Sequence, residues 1–242
     1  MLLDATTEDP LERRARPFAG RATFTVERLD PPDPRLHASL REWDWVARSL
    51  LSGGAILPAT RTLLEDHRRI AGELSRVLAG AEDGEGTAGE RIVRGAFRAG
   101  RLQAATTVFP CRRAVFVELL VTAPWNLLGP EDPADARVCR GAGTTLLAFA
   151  EARSLALGLG GRVALQAENR RCLGYYRRLG FELMRPDDQP LTLVPCGATG
   201  FSASIRRLAG GAPGPEEIRS PWLLRDPARA AAAHPEQPQV AG

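Results

Sequence analysis

Residues able to do chemistry concentrate in two short stretches. The first runs from Arg137 to Leu147, RVCRGAGTTLL, and places Gly141 and Gly143 at the start of an apolar helical run. Glycines let a backbone approach a ligand closely. The unpaired N–H groups of a helix's first turn, with the helix dipole, favour an anion there. Arg137 and Arg140 add positive charge. The arrangement suits phosphate, but it lacks the Gly-Lys-Ser/Thr of a P-loop and the third glycine of a dinucleotide fingerprint. Taken alone, a Gly-x-Gly helix start also serves tight packing.

The second stretch is NRRCLGYYRRLGF, from Asn169 to Phe181. On a helix Asn169, Cys172 and Tyr176 share a face, and Gly180 stands where a helix C-terminus favours glycine. A third candidate is Glu118, a lone acid inside the apolar run VFVELLVT. Such a group needs a partner or an unusual pKa. It reads either as a base or as the partner of an arginine on a neighbouring strand.

The elements that must position these residues follow from periodicity. Residues 1–20 read as a loose arm and Ala22–Leu29 as a strand ended by DPPDP. Two amphipathic helices come next, with Leu36, Leu40, Trp43, Ala47 and Leu50 on one face of the first. Leu63, His67, Ile70, Leu74 and Val77 line one face of the second. His67 on that stripe reads as a core histidine. Ala81–Gly89 is a loop. Arg91–Phe97 and Leu102–Val108 form a hairpin, and Val115–Thr122 is the most apolar and most central strand. Gly141–Leu157 is a helix, Arg162–Ala167 a strand and Asn169–Leu179 a short helix. Weak strands follow near Glu182 and at Leu191–Val194. From about Gly210 the chain is rich in Ala, Pro and Gly and reads as disordered, with Trp222-Leu223-Leu224 as an exception able to dock. The expected organisation is an arm at 1–20, one domain at 21–209 and a tail at 210–242.

Composition excludes several classes. The chain has 242 residues, 44% hydrophobic and 25% charged, enough for a full core without a metal or disulfide staple. Its net charge of +3 is dispersed, which does not favour nucleic acid. Every Lys/Arg-type cation is arginine. Cys111, Cys139, Cys172 and Cys196 lack CxxC spacing and the histidines lie far apart, so no zinc site is expected. The N-terminus lacks an apolar signal and no run is long enough to span a membrane. We expect a cytoplasmic protein with free thiols and no metal.

Both stretches together resemble the GNAT acyl-CoA N-acetyltransferases. Val138-Cys139-Arg140-Gly141-Ala142-Gly143 is similar to that family's Arg/Gln-x-x-Gly-x-Gly/Ala, and Asn169 through Phe181 to its Asn-x-x-Ala-x-x-aromatic-Tyr-x-x-Leu-Gly-Phe, with Cys172 in the alanine place. Val138 departs from the usual Arg/Gln. The loop after Val121 is long and carries Ala123-Pro124-Trp125-Asn126, which resembles a subset of the family. The resemblance implies an α/β fold of the α+β type: a mixed, mostly antiparallel sheet flanked by helices, with two central strands splayed around acyl-CoA. It implies that the backbone at Leu119 and Val121 pairs with the pantetheine arm. The amides of Arg140, Gly141, Ala142, Gly143 and Thr144 would hold the pyrophosphate, with Val138 beside them. Asn169 would contact the CoA arm.

The implied reaction is transfer of an acetyl or other acyl group from acetyl-CoA to a small-molecule or protein amine, by direct attack in a ternary complex. Tyr176 would be the acid at the leaving thiolate and Glu118 the base, with Tyr175 as a packing aromatic. Trp45 and Trp125 are candidate acceptor walls suiting an apolar or ring-bearing amine, or else ordinary packing residues. Two other readings compete: a non-catalytic acyl-CoA-binding module, and an enzyme that acylates aminoacyl-tRNA. No membrane partner is expected, and a homodimer is compatible with the reading.

Overall fold

The computed structural model describes residues 23–29, 33–78, 91–132, 135–185, 188 and 221–229. In chain order the elements are β1 (Thr25–Arg28), α1 (Pro34–Ser52), α2 (Pro58–Leu78), β2 (Ile92–Arg98), β3 (Arg101–Pro110) and β4 (Val115–Thr122). A 3₁₀ turn (Pro124–Leu127) follows, then α3 (Ala142–Ala156), β5 (Val163–Gln166), α4 (Arg170–Arg178), β6 (Glu182–Leu183) and β7 (Trp222–Arg225). The seven strands form one mixed sheet in the order β1-β2-β3-β4-β5-β7-β6, antiparallel except for β4 with β5.

Local chemistry starts and stops these elements where the sequence suggests. Asp33 caps α1 by accepting from the Arg35 N–H at 2.8 Å, and Pro34 occupies the first helical position. The β2–β3 turn uses positive φ at Ala99 and Gly100. The α1 stripe buries Leu36, Leu40, Trp43 and Ala47, with Val46 beside them. It packs with Leu74, Phe97, Leu102, Val121 and Trp125 on one face of the sheet. The other face is covered by α3, whose Leu146, Leu147 and Phe149 join Val108, Val117 and Val163, and by the inner side of α4.

One expectation is overturned. Part of the tail expected to be disordered is a strand: β7 lies between β5 and β6 and pairs antiparallel with both. Leu223 is fully buried within it. Ion pairs Arg162–Asp226, Arg225–Glu151 and Arg229–Asp188 fasten the segment. The domain therefore extends past residue 209. The segment Trp222-Leu223-Leu224, expected only as able to dock, forms the strand WLLR because strands far away in sequence pair with it. The arm at 1–20, the loop at 81–89 and the expected strand at 191–194 lie outside the described residues.

Candidate active site

The site begins with a break in strand pairing. β4 pairs with β3 along its length but with β5 only over Val115–Val117. The register with β3 shifts at Glu118, because Thr107 opposes Leu119 while Val108 opposes Val117. Glu118 is thus the extra residue of a β-bulge, a device that turns a strand and ends pairing. From there to Thr122 the side of β4 away from β3 has no strand partner among the described residues.

Backbone direction along this free edge follows from the bonds on the other side. The Leu119 N–H donates to Thr107 Oγ1 at 3.2 Å, and its carbonyl accepts from Thr106 Oγ1 at 2.7 Å. The Ala123 N–H donates to the Gln103 carbonyl at 2.9 Å. Residues 119 and 123 face β3, so by alternation 121 does too, and Leu120 and Thr122 face the gap. The backbone expected at Leu119 and Val121 to receive a pantetheine arm is therefore turned away. Leu120 and Thr122 occupy that place, because alternation makes a one-residue difference in register decisive.

The gap opens into a cavity of about 940 Å3. Its walls are Leu120 and Thr122 of β4, residues 138–144 leading into α3, Cys172, Tyr175 and Tyr176 of α4, and Leu63 of α2. Arg98, Arg171 and Arg178 also line it. Sequence reasoning missed Leu63, Leu120, Thr122, Asn126 and these arginines. Of these, Arg171 and Arg178 lie within the second motif and Asn126 within the Ala-Pro-Trp-Asn loop; the others carried no signal.

The start of α3 has no side-chain cap. Gly141 occupies the cap position at φ +107°, a conformation that side chains disfavour. The first helical bond is from the Thr145 N–H to the Gly141 carbonyl at 2.9 Å. The amides of Ala142, Gly143 and Thr144 precede it and have no acceptor within the helix. A Cβ on Gly143 would stand 3.3 Å from Thr122 Cγ2, so glycine permits the close approach of α3 to β4. The two arginines beside the motif are already engaged. Arg140 donates to the Leu128 carbonyl at 2.8 Å. Arg137 is bound to Asp135 and stacks on Trp125 at 4.3 Å. Only Arg140 borders the cavity, and Val138 also packs toward the α1–α2 side.

The α4 start is closed by contrast. Asn169 accepts from the Cys172 N–H at 3.0 Å, and its Nδ2 donates to Asp66 Oδ2 at 2.8 Å. Asn169 is absent from the cavity wall, so the expected contact with a CoA arm gives way to a cap and a tie to α2. The spacing that put Asn169 on the face of Cys172 and Tyr176 is also that of an N-cap to its third helical residue.

Tyr176 does reach the cavity. Its ring lies 5.5 Å from that of Tyr175 and 5.7 Å from that of Phe181. Burial raises its pKa well above the usual phenol range, and negative charge at Cys172, Tyr175 and Glu168 adds to the shift. The phenol stays protonated at any ordinary pH. Tyr175 is also raised by burial, and its hydroxyl shares a 2.5 Å hydrogen bond with Thr144 Oγ1. It ties the start of α3 to the middle of α4. Burial raises the Cys172 thiol, with Asp66 and Glu168 as further causes, so it is a poor thiolate at neutral pH.

Glu118 takes the ion-pair role. Its carboxylate meets Arg91 at 2.9 and 3.0 Å and Thr107 Oγ1 at 3.2 Å, and it is not part of the cavity wall. Neither tryptophan lines the cavity. Trp45 is 67% exposed, whereas Trp125 is fully buried among the residues under α1 and α2. An aromatic off the apolar stripe of a helix faces solvent, and one in a turn against the core enters it. His67 is buried against the Trp43 ring, beside the Thr122 backbone.

No family model matches this chain and no curated protein matches it. Solved structures do. An aminoglycoside 6'-acetyltransferase type Ii is 13% identical, covering 83% of this chain and 96% of its own, at a TM-score of 0.44. The PaiA N-acetyltransferase of Thermoplasma acidophilum, in complex with coenzyme A, is 12% identical, covering 85% and 99%, at 0.42. An N-acetylglutamate synthase of Neisseria gonorrhoeae, complexed with coenzyme A and N-acetyl-glutamate, is 16% identical, covering 84% of this chain and 35% of its own, at 0.40.

Proposed function

We propose that this chain is an acyl-CoA-dependent N-acyltransferase of GNAT type, with acetyl-CoA as co-substrate and an amine as acceptor. The observation that carries the reading is the shape of the gap: a free β4 edge at Leu120 and Thr122 leads to three unpaired amides at the start of α3. A chain with alternating amide groups can pair with the edge as an added strand. A pyrophosphate at its far end meets the amides and the helix dipole. Pantetheine pyrophosphate has that form. The Ala123-Pro124-Trp125-Asn126 turn supports a reading within the subset that carries this loop.

The reaction then needs a neutral amine at the thioester carbonyl. Nitrogen forms a bond to the carbonyl carbon, the carbon–sulfur bond breaks, and the amine's proton is lost. Tyr176 stands in the wall as a protonated phenol. Held above its usual pKa, it stabilises a departing thiolate as a hydrogen-bond donor more readily than it surrenders its proton. Glu118 is occupied by Arg91, so base catalysis falls to a group on the acceptor side or to water.

The experiment is calorimetric titration of the full chain with CoA and acetyl-CoA, followed by CoA release against a panel of amines. Binding with turnover supports the enzyme. Binding without turnover on any amine favours the acyl-CoA-binding module. Absence of binding by any CoA thioester removes the reading.

A further inference from the structure

The Ala-Pro-Trp-Asn turn is joined to the loop before α3 by a buried amide network. We infer that this network sets the geometry of the anion cradle, with Asn126 as its positioning residue. The inference rests on the acyl-CoA reading above.

The direction of each bond is determined by its neighbours. Trp125 can only donate through its indole nitrogen. It does so to Gln103 Oε1 at 3.0 Å. Gln103 is 4% exposed, on β3, and that bond fixes which way its amide points. Asn126 Nδ2 donates to the same oxygen at 3.1 Å. The Asn126 carbonyl oxygen is then left to accept, and it takes the Cys139 N–H at 2.7 Å. Two hydrogen bonds thus run from the third strand through Asn126 to a residue two positions before Gly141, and the Trp125 bond orients the first acceptor. The bond from Arg140 to the Leu128 carbonyl ties the same loop a second time.

The consequence concerns the amides beyond the glycine. The connection from β4 to α3 covers Ala123 to Gly141, long enough to move if left untied. Donors that must be ordered on binding give part of their affinity back, whereas donors already in place do not. Asn126 removes the Cys139 N–H from the set facing the ligand and holds the chain so that Ala142, Gly143 and Thr144 face the cavity. Val138 supplies no cation at the motif's usual Arg/Gln position, so the placement of the amides matters beside the arginines of the wall.

Calorimetry of the full chain with CoA tests this through two substitutions at Gln103, which does not border the cavity. Gln103→Met keeps the volume and deletes the acceptor, and should weaken CoA binding by about 10-fold, the scale of a lost buried hydrogen bond. Gln103→Glu keeps an acceptor oxygen for both donors and should bind CoA as the wild type does. Should Gln103→Met fail to fold, Asn126→Ser replaces it. Its hydroxyl is too short to bridge both partners, and the same weakening is expected. Equal CoA affinity in the acceptor-deleting and acceptor-keeping variants overturns the inference while leaving the acyl-CoA reading intact. A wild type that binds no CoA overturns both.

Discussion

Helices α3 and α4 begin in opposite ways. Gly141 gives α3 no side-chain cap, and the amides of its first turn face a cavity. Asn169 caps α4 by accepting from the Cys172 N–H, and its amide nitrogen donates to Asp66, so a side chain serves that start. A glycine in place of a capping side chain costs a helix only roughly a few tenths of a kcal/mol. Such a cost is tolerated where an anion completes the helix instead. The contrast teaches that a helix start is a binding site when nothing internal satisfies it. α4 contributes to the site through side chains further along, at Cys172, Tyr175 and Tyr176.

The comparison can be broken at four points. If α4 acts through its side chains, Tyr176→Phe should lower turnover by ~10²–10³-fold, the usual worth of a positioned hydrogen-bond donor to developing charge, with CoA affinity unchanged. An unchanged rate would make Tyr176 a packing residue. If α3 acts through its amides, Gly143→Glu should weaken CoA binding by more than ~100-fold, since like charges facing each other cost several kcal/mol. The shift in melting temperature produced by acetyl-CoA should vanish with it.

The third test concerns the α2 wall. Burial lowers the His67 pKa to about 4, against 6.5 for the free side chain. The unfolded chain therefore takes up a proton before the folded one does. Stability should fall as pH drops from about 6.5 toward 4, by roughly 3 kcal/mol over the whole window. Chemical denaturation at pH 7 and pH 5 should show part of that loss in the wild type. His67→Leu should remove His67's share of the slope, and an identical pH dependence in both would refute the assignment. The smallest effect belongs to the closed helix start. Asn169→Ala should cost about 1 kcal/mol of stability and leave CoA affinity nearly unchanged. A large loss of CoA affinity, with little loss of stability, would restore the direct contact expected from the motif.

Much of this was legible before folding. Residues close in sequence carry their own instructions: the α1 stripe and the glycine start of α3 are readable within one or two turns. The errors share a cause. Glu118 was ambiguous because its partner, Arg91, is 27 residues away. Trp125 looked available because a turn sequence does not reveal which core receives its aromatic. Asn169 was misassigned because one spacing serves both a cap and a ligand contact.

Periodicity and end-capping chemistry, written in the sequence by itself, determined the helices, the central strand and the candidate anion cradle. Tertiary structure alone decided which backbone groups of β4 remain free, since a bulge at Glu118 and the early parting of β5 depend on partners distant in sequence. It also decided that Trp222–Arg225 is a strand, because four residues acquire that conformation only when β5 and β6 supply hydrogen bonds on both sides. Short-range patterns act through contacts every copy of the segment makes, whereas strand pairing is a choice among distant partners that only the assembled core settles.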